Sequence, residues 1–161
     1  MFKIPELTAT DIQILTILQS NAELPHKQIA RLLNKSAPAV YERIRILRKK
    51  GYICSSVALL NCQKISSMLT VYTQVQLKDH SADSLGCFHQ QATLFDEVME
   101  CYHTTGHYDF NLKVVVPDMP AYKSFMHRLA LIPNLSTMAS HFVIAEHKRD
   151  TAYKLESPPA D

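Results

Sequence analysis

The residues best suited to chemistry in this chain lie between positions 35 and 50, where basic, hydroxyl and phenol side chains alternate with apolar ones. Groups of these types bind phosphate oxygens and the edges of bases. We therefore predict a surface that contacts double-stranded DNA, formed by Lys35, Ser36, Pro38, Tyr41, Glu42, Arg45, Arg48 and Lys49. Lys35, Arg48 and Lys49 are the expected phosphate contacts, and the others are expected to face the groove.

A capped amphipathic helix over residues 36–50 would carry this surface. Ser36 can cap its first turn, and Gly51 can take the left-handed conformation that ends a helix. The apolar residues recur at i, i+4 and i+7 and predict a buried face: Val40, Ile44 and Leu47. Arg43 lies beside this face, so we expect it to pair with an acidic residue of the same domain.

Two shorter helices are predicted before this one. Thr8 and Asp11 have capping-box spacing, and Pro25 opens the second helix. The residues expected to face inward are Ile12, Leu15, Leu18, Ile29, Leu32 and Leu33. Asn34 supplies the tight turn, and the β-formers of residues 52–60 suggest a small hairpin or wing. Three helices and a wing predict a winged helix-turn-helix.

Charge separates this module from the remainder of the chain. Residues 1–60 contain nine Lys and Arg against four Asp and Glu, a net charge of +5, whereas residues 61–161 contain eight against eleven, a net charge of −3. This asymmetry indicates polyanion binding confined to the N-terminal module.

The second half of the chain predicts the order β-α-β-β-α-β, which is that of a ferredoxin-like domain. The expected strands are residues 67–77, 98–105, 110–116 and 135–145. One helix is expected over residues 81–94. A second helix is expected to start within residues 117–120 and to run to residue 129. We expect one sheet face to be covered by the helices, and the other to be apolar and covered by a second copy of the chain.

The predicted domains are therefore residues 1–61 for DNA binding with a linker, residues 62–150 for effector binding and oligomerisation, and residues 151–161 for a tail with a disordered end. No apolar run long enough to span a membrane occurs, and residues 1–6 do not read as a signal peptide, so we expect a cytoplasmic, nucleoid-associated protein without a membrane partner. The four cysteines lack a C-x-x-C spacing and are interpreted as free, half-buried thiols.

A second candidate site is the turn at residues 106–109. Gly106 permits close approach of a ligand, and backbone N–H groups there can donate hydrogen bonds to an α-carboxylate. The carboxylate of Asp109 can receive an α-ammonium or orient the loop. The alternative is a plain hairpin turn in which Asp109 bonds its own backbone.

Three segments in order, residues 36–61, 100–110 (ECYHTTGHYDF) and 116–122 (VPDMPAY), resemble the Lrp/AsnC family of feast/famine regulators, most closely its leucine-responsive branch. The resemblance implies dimers that assemble further, commonly to octamers, and an amino acid or related metabolite as effector, with no cofactor. Carried over by position, the effector residues are Thr104, Thr105, Gly106, His107, Tyr108, Asp109, Met138 and Ser140. His107 stands where the family usually has Asp, so the effector can differ from leucine.

Three alternatives remain open from the sequence. Histidines at 103, 107, 141 and 147 suggest a metal site, although their spacing matches no common ligand set. A tetrapyrrole decarboxylase shares the fold of the second half, but few arginines follow residue 60. The third is a DNA-architectural protein that responds to no effector.

Overall fold

The computed structural model of the protein describes residues 7–65 and 67–156, apart from the side chain of Gln63. Most of the chain end that the sequence predicts to be disordered, residues 157–161, lies outside this range. The described residues form two compact units, one of residues 7–59 with 148–156 and the other of residues 60–147.

The N-terminal unit contains three helices, α1 (Ala9–Ser20), α2 (His26–Leu32) and α3 (Ala37–Lys49). Thr8 and Asp11 form the predicted capping box, since the Thr8 side chain accepts from the backbone of Asp11 and the Asp11 carboxylate accepts from the Thr8 N–H at 2.9 Å. Ser36 caps α3 as predicted, by accepting from the N–H of Ala39. These local bonds satisfy N–H groups that have no partner inside a helix.

Packing of the three helices confirms the apolar face of α3 and corrects that of α2. Val40, Ile44 and Leu47 are buried in the core of this unit. Leu32 was predicted to face inward but is 64% exposed. Ala30 is buried beside Ile29 in its place, because α2 presents the i, i+1 and i+4 positions to its neighbours rather than the i+3 position.

The end of α3 has the predicted geometry, but no strand forms in the segment that follows. Gly51 has φ +78°, and the N–H groups of Gly51 and Tyr52 donate to the carbonyls of Arg48 and Leu47, a Schellman arrangement. Tyr52 packs against the core of the unit. Residues 53–61, all of which the structure describes, contain no strand, so the predicted hairpin is wrong.

The C-terminal segment returns to the N-terminal unit. The N–H of Tyr153 donates to Oε1 of Gln19 at 2.7 Å, and Nε2 of Gln19 donates to the carbonyl of Tyr153 at 3.2 Å. Leu155 packs against the apolar cluster of the three helices. The part of the expected tail that the structure describes is therefore a packed segment.

The second unit is a sheet with two helices on one face. Its elements, in chain order, are α4 (Cys62–Ile65), β1 (Leu69–Leu77), α5 (Ala82–Ala92), β2 (Val98–His103), β3 (Phe110–Val116), α6 (Met119–Leu129) and β4 (Leu135–Phe142). The strands are antiparallel in the order β2-β3-β1-β4, which confirms the ferredoxin-like fold. The single turn of α4 was not predicted.

The two faces of the sheet differ in polarity. The face covered by α5 and α6 carries a continuous apolar core that includes Phe88, Phe110, Leu112 and Phe125. Alternation along the strands places mainly polar residues on the other face: Tyr72, Gln74, Gln76, Glu100, Tyr102, Asn111, Lys113, Val115, Thr137, Ala139 and His141. The prediction of an apolar open face is therefore wrong, because the period-2 pattern of β1 and β3 alternates apolar with amide, hydroxyl and charged residues.

The cysteine side chains are also less buried than predicted. Cys54, Cys62 and Cys87 are exposed, and Cys101 on β2 is intermediate. Burial raises the pKa of the Cys101 thiol, which favours its protonated form at neutral pH.

Candidate nucleic-acid interface and ligand site

The residues predicted to contact DNA form one exposed surface on α3 and the two residues before it. Lys35 and Ser36 precede the helix, and all the others lie along its solvent-facing side. Lys35, Ser36, Pro38, Tyr41, Glu42, Arg45, Arg48 and Lys49 are each exposed, while the opposite side of the helix is buried. An exposed basic face on a helix fixed by its apolar face has the form of a recognition helix.

Arg43 holds this helix to α1. Its Nε lies 2.5 Å from Oδ1 of Asp11 and its Nη2 lies 2.7 Å from Oδ2, so the two side chains form a bidentate pair. The Asp11 side chain is only 4% exposed, whereas that of Arg43 is 38% exposed. Burial raises the pKa of the Asp11 carboxyl, but hydrogen bonds from Arg43 and Thr8 outweigh this effect and the pKa is lowered. The sequence expectation that Arg43 pairs within the domain is confirmed.

A second bidentate pair lies on the exposed side of α3. Nε and Nη2 of Arg45 donate to the two carboxylate oxygens of Glu42 at 2.9 and 2.6 Å. The hydrogen bonds from Arg45 lower the pKa of the Glu42 carboxyl, so it remains ionised near neutral pH. Beside this pair, the ring of Tyr41 makes an edge contact with the ring of His26 from α2, at 5.4 Å between centroids. His26 therefore adjoins the surface, which the spacing of α3 alone did not reveal.

In the second unit, the turn between β2 and β3 is held by Asp109. Its Oδ2 accepts the buried N–H of Leu77 at 2.8 Å, and its Oδ1 lies 3.0 Å from Nε2 of His80. The backbone of Asp109 also donates to the carbonyl of Val75 and accepts from the N–H of Thr104. Oδ2 thus accepts a buried hydrogen bond and Oδ1 lies within ion-pair distance of His80, which favours orientation of the loop over capture of an α-ammonium.

The remaining residues of the turn are accessible to a ligand. Thr104, Thr105, Gly106 and His107 are exposed, and Tyr108 is intermediate. Gly106 has φ +117°, a backbone conformation that side chains with a Cβ rarely adopt, and an added Cβ would meet open space. The backbone groups of the turn are therefore accessible to solvent, and no neighbouring side chain that the structure describes shields them at Gly106.

Met138 and Ser140 lie on β4, across β1 from this turn. Val75 of β1 pairs with Phe110 on one side and with Met138 on the other. Phe110 and Met138 are therefore separated by two strand spacings, about 10 Å. Met138 packs against the core. The hydroxyl of Ser140 accepts from the phenol of Tyr122 at 2.6 Å on the helix-covered face. The structure of one chain thus brings the predicted turn residues together, but not these two with them.

A cleft between α5 and β2 adjoins the turn, and sequence reasoning missed it. Its volume is about 240 Å³, and its lining includes Leu85, His89, Thr93, Cys101, His103 and Phe110. The ring of His103 stacks on Phe110 with 5.0 Å between centroids. The i, i+4 pair His89 and Thr93 on α5 is a signal that becomes meaningful only once β2 is known to lie beside that helix.

A helix-turn-helix with an exposed basic recognition helix, followed by a ferredoxin-like domain, defines a two-domain DNA-binding regulator. Residues 70–153 match the Lrp/AsnC ligand-binding domain, and residues 7–53 match a winged helix-turn-helix DNA-binding domain. The chain belongs to the Lrp/AsnC family of transcriptional regulators.

Individual relatives support this assignment. The chain is 35% identical over 112 residues to the HTH-type transcriptional regulator Zrp of Zymomonas mobilis, covering 70% of this chain and 73% of that protein. It is 28% identical over 145 residues to the leucine-responsive regulatory protein of Escherichia coli K12, covering 89% and 88% of the two chains. The predicted likeness to leucine-responsive regulators is thereby confirmed.

A solved structure extends the likeness to three dimensions. A transcriptional regulator from Neisseria meningitidis, determined as a complex with L-methionine, superimposes with a TM-score of 0.86 at 26% identity, covering 92% of this chain and 97% of that one. Within the described residues of the present protein, no helix is long and apolar enough to cross a membrane.

Proposed function

We propose that this protein regulates transcription by binding duplex DNA through α3 in response to an amino acid or a related small metabolite. The observation that carries the proposal is the exposed basic face of α3, whose apolar face and Arg43–Asp11 pair fix it to the rest of the unit. Ser36, Pro38, Tyr41, Glu42 and Arg45 are assigned to the groove. Lys35, Arg48 and Lys49 are assigned to phosphates, which position the protein without specifying sequence. No reaction and no cofactor enter the proposal, and its site of action is the cytoplasmic nucleoid.

Arg45→Ala and Lys49→Ala are expected to weaken DNA binding in different ways. Arg45→Ala should relax discrimination at one base pair by about 1–3 kcal/mol, because a base-edge contact is lost. Lys49→Ala should weaken binding to all duplexes alike and lower the salt slope by about one unit, because one phosphate contact is lost. The measurement is the affinity for duplexes selected from a random pool with the wild-type protein, and for unselected duplexes, at several salt concentrations. An unchanged sequence preference in Arg45→Ala contradicts its role in reading bases.

We infer that the effector binds at the exposed turn of residues 104–109 and in the adjoining cleft. A volume of about 240 Å³ lies below the range typical of drug-sized ligands, about 300–1,000 Å³, and suits a ligand the size of an amino acid. Free backbone groups at Gly106 suit its carboxylate. Met138 and Ser140, which lie apart from the turn within one chain, enter the proposal only as second candidates. The L-methionine bound by the Neisseria relative is consistent with this chemistry.

Thermal unfolding with each of the twenty amino acids is expected to show stabilisation by at least one of them. A ligand present at 100 times its Kd adds about 2.7 kcal/mol to the free energy of unfolding, which is a shift of several degrees in Tm. The measurement is differential scanning fluorimetry with an extrinsic dye at millimolar ligand, with D-enantiomers as matched controls. If no amino acid shifts the Tm, an amino-acid effector is contradicted and the architectural alternative is favoured.

We also propose that the chain forms homodimers through the open sheet face, which assemble to octamers or similar particles. Oδ1 of Asn111 on this face is already buried within one chain and, among the described residues, has no hydrogen-bond partner, so a second copy can donate to it only after this side chain turns outward. The face is polar and includes the pair Lys113–Glu100 at 2.7 Å, so a second copy would meet it through hydrogen bonds and bridging waters rather than through an apolar core. The segment that joins the two units also carries exposed apolar side chains: Val57, Leu59 and Leu60.

A further inference from the structure

The bidentate pair of Glu42 and Arg45 is not accounted for by stability. The Glu42 side chain is 51% exposed and the Arg45 side chain is 58% exposed. Exposed ion pairs at helical spacing contribute little to the free energy of folding. They nevertheless form two short hydrogen bonds, at 2.6 and 2.9 Å, in the middle of the surface assigned to DNA. The effect of the pair is therefore on the position and charge of the Arg45 guanidinium itself.

The atoms that take part decide which edge of the guanidinium is occupied. A guanidinium offers a side edge, formed by Nε and Nη2, and an end edge, formed by Nη1 and Nη2, each with two roughly parallel N–H groups. Glu42 accepts from Nε and Nη2, which is the side edge. The end edge keeps both of its N–H groups for another acceptor. Guanine offers O6 and N7 in the major groove as a matching pair of acceptors.

We propose that Glu42 is the positioning residue through which Arg45 reads guanine. The carboxylate holds the side edge, so the end edge is presented in one orientation and the side chain loses less freedom on binding. The negative charge of Glu42 also lies beside the guanidinium and repels phosphate oxygens. This repulsion reduces the contribution of Arg45 to the affinity for DNA of the wrong sequence. Glu42 thus raises the ratio of selected to unselected binding. This inference rests on the proposed function of α3.

The test uses the full chain and duplexes selected from a random pool by the wild-type protein. Affinities are measured for a selected and an unselected duplex with Glu42→Ala, Arg45→Ala and the double variant. Glu42→Ala is expected to lower the selected-to-unselected ratio about three- to tenfold, mainly by tighter binding to unselected DNA. In the Arg45→Ala background the same change is expected to leave the ratio unaltered, because Glu42 acts through Arg45.

Glu23→Ala is the matched control, since Glu23 is an exposed carboxylate of the same unit that lies outside α3. Loss of its charge is expected to leave the ratio unchanged. The inference is overturned if Glu42→Ala leaves the selected-to-unselected affinity ratio unchanged. It is also overturned if Glu42→Ala changes this ratio equally in the presence and in the absence of Arg45. In both cases the DNA-binding proposal stands. Absence of any sequence preference in the wild-type protein overturns both. Because all the substituted side chains are exposed, the far-ultraviolet spectrum of each variant should match that of the wild type.

Discussion

Arg43→Ala is expected to destabilise the N-terminal unit by about 2–4 kcal/mol, because it leaves the Asp11 carboxylate nearly buried without its cation. This loss of unfolding free energy is no larger than the loss expected when a fully buried ion pair is broken, because the Arg43 side chain is 38% exposed. Asp11 also belongs to the cap of α1, so the substitution disturbs the junction between α1 and the recognition helix. The variant should therefore lose DNA affinity through stability rather than through a lost contact.

The measurement is hydrogen exchange on the amides of α1 and α3 in the full chain, which reports the free energy of local opening. Arg48→Ala is the matched control, because it removes an exposed arginine from the same helix and should change that free energy by less than about 0.5 kcal/mol. Equal protection in the two variants would contradict a structural role for Arg43.

The contribution of the Arg43–Asp11 pair to the free energy of unfolding should also depend on pH. The pKa of Asp11 in the folded protein lies below its ordinary value of 3.8, so the folded state binds fewer protons than the unfolded state as this carboxyl titrates. Its contribution is therefore complete above about pH 5 and is lost as the pH falls through the folded pKa. The difference between wild type and Arg43→Ala is expected to shrink over the same interval.

Asp109→Ala is expected to cost about 2–4 kcal/mol in the second unit, because the buried N–H of Leu77 loses a charged acceptor. Asp109→Asn should cost less, since its amide oxygen can still accept from Leu77. Exchange of the Leu77 amide and of the β1 and β3 amides measures both effects. A hydrogen bond at 2.8 Å in the native protein makes the Leu77 amide the most sensitive reporter.

The pair of substitutions also separates two roles of Asp109. If the carboxylate only orients the turn, Asp109→Asn should retain both stability and the thermal shift by an amino acid. If the carboxylate binds an α-ammonium, Asp109→Asn should retain stability and lose the shift. The contacts to Leu77 and His80 favour the first result.

The sequence predicted the exposed basic surface of α3 well because its signals are local. The cap at Ser36, the i, i+4, i+7 apolar face and the Gly51 terminus all act within one or two helical turns, so they can be read without knowing what the helix packs against. The same holds for the alternation of β3 and for the Ser81 cap of α5. Each depends only on the fixed periodicity of the backbone.

The candidate ligand site was predicted less completely, because its parts come from distant segments. The turn of residues 104–109 was found from its glycine and its resemblance to a family. The two partners of Asp109 come from the end of β1 and the residues that follow it, and the adjoining cleft needs α5 beside β2. Neither arrangement has a local signature, since strand pairing joins residues far apart in the chain.

The sequence by itself determined where most helices and strands lie, which side of α3 is basic, and the order of elements in the second domain. Tertiary structure alone decided that Leu32 is exposed, that no strand forms over residues 53–61, and that Leu155 packs on the N-terminal unit. The physical reason is that caps and periodicity are fixed by neighbours within about four residues. Burial and side-chain partners depend on surfaces that only the folded chain brings together.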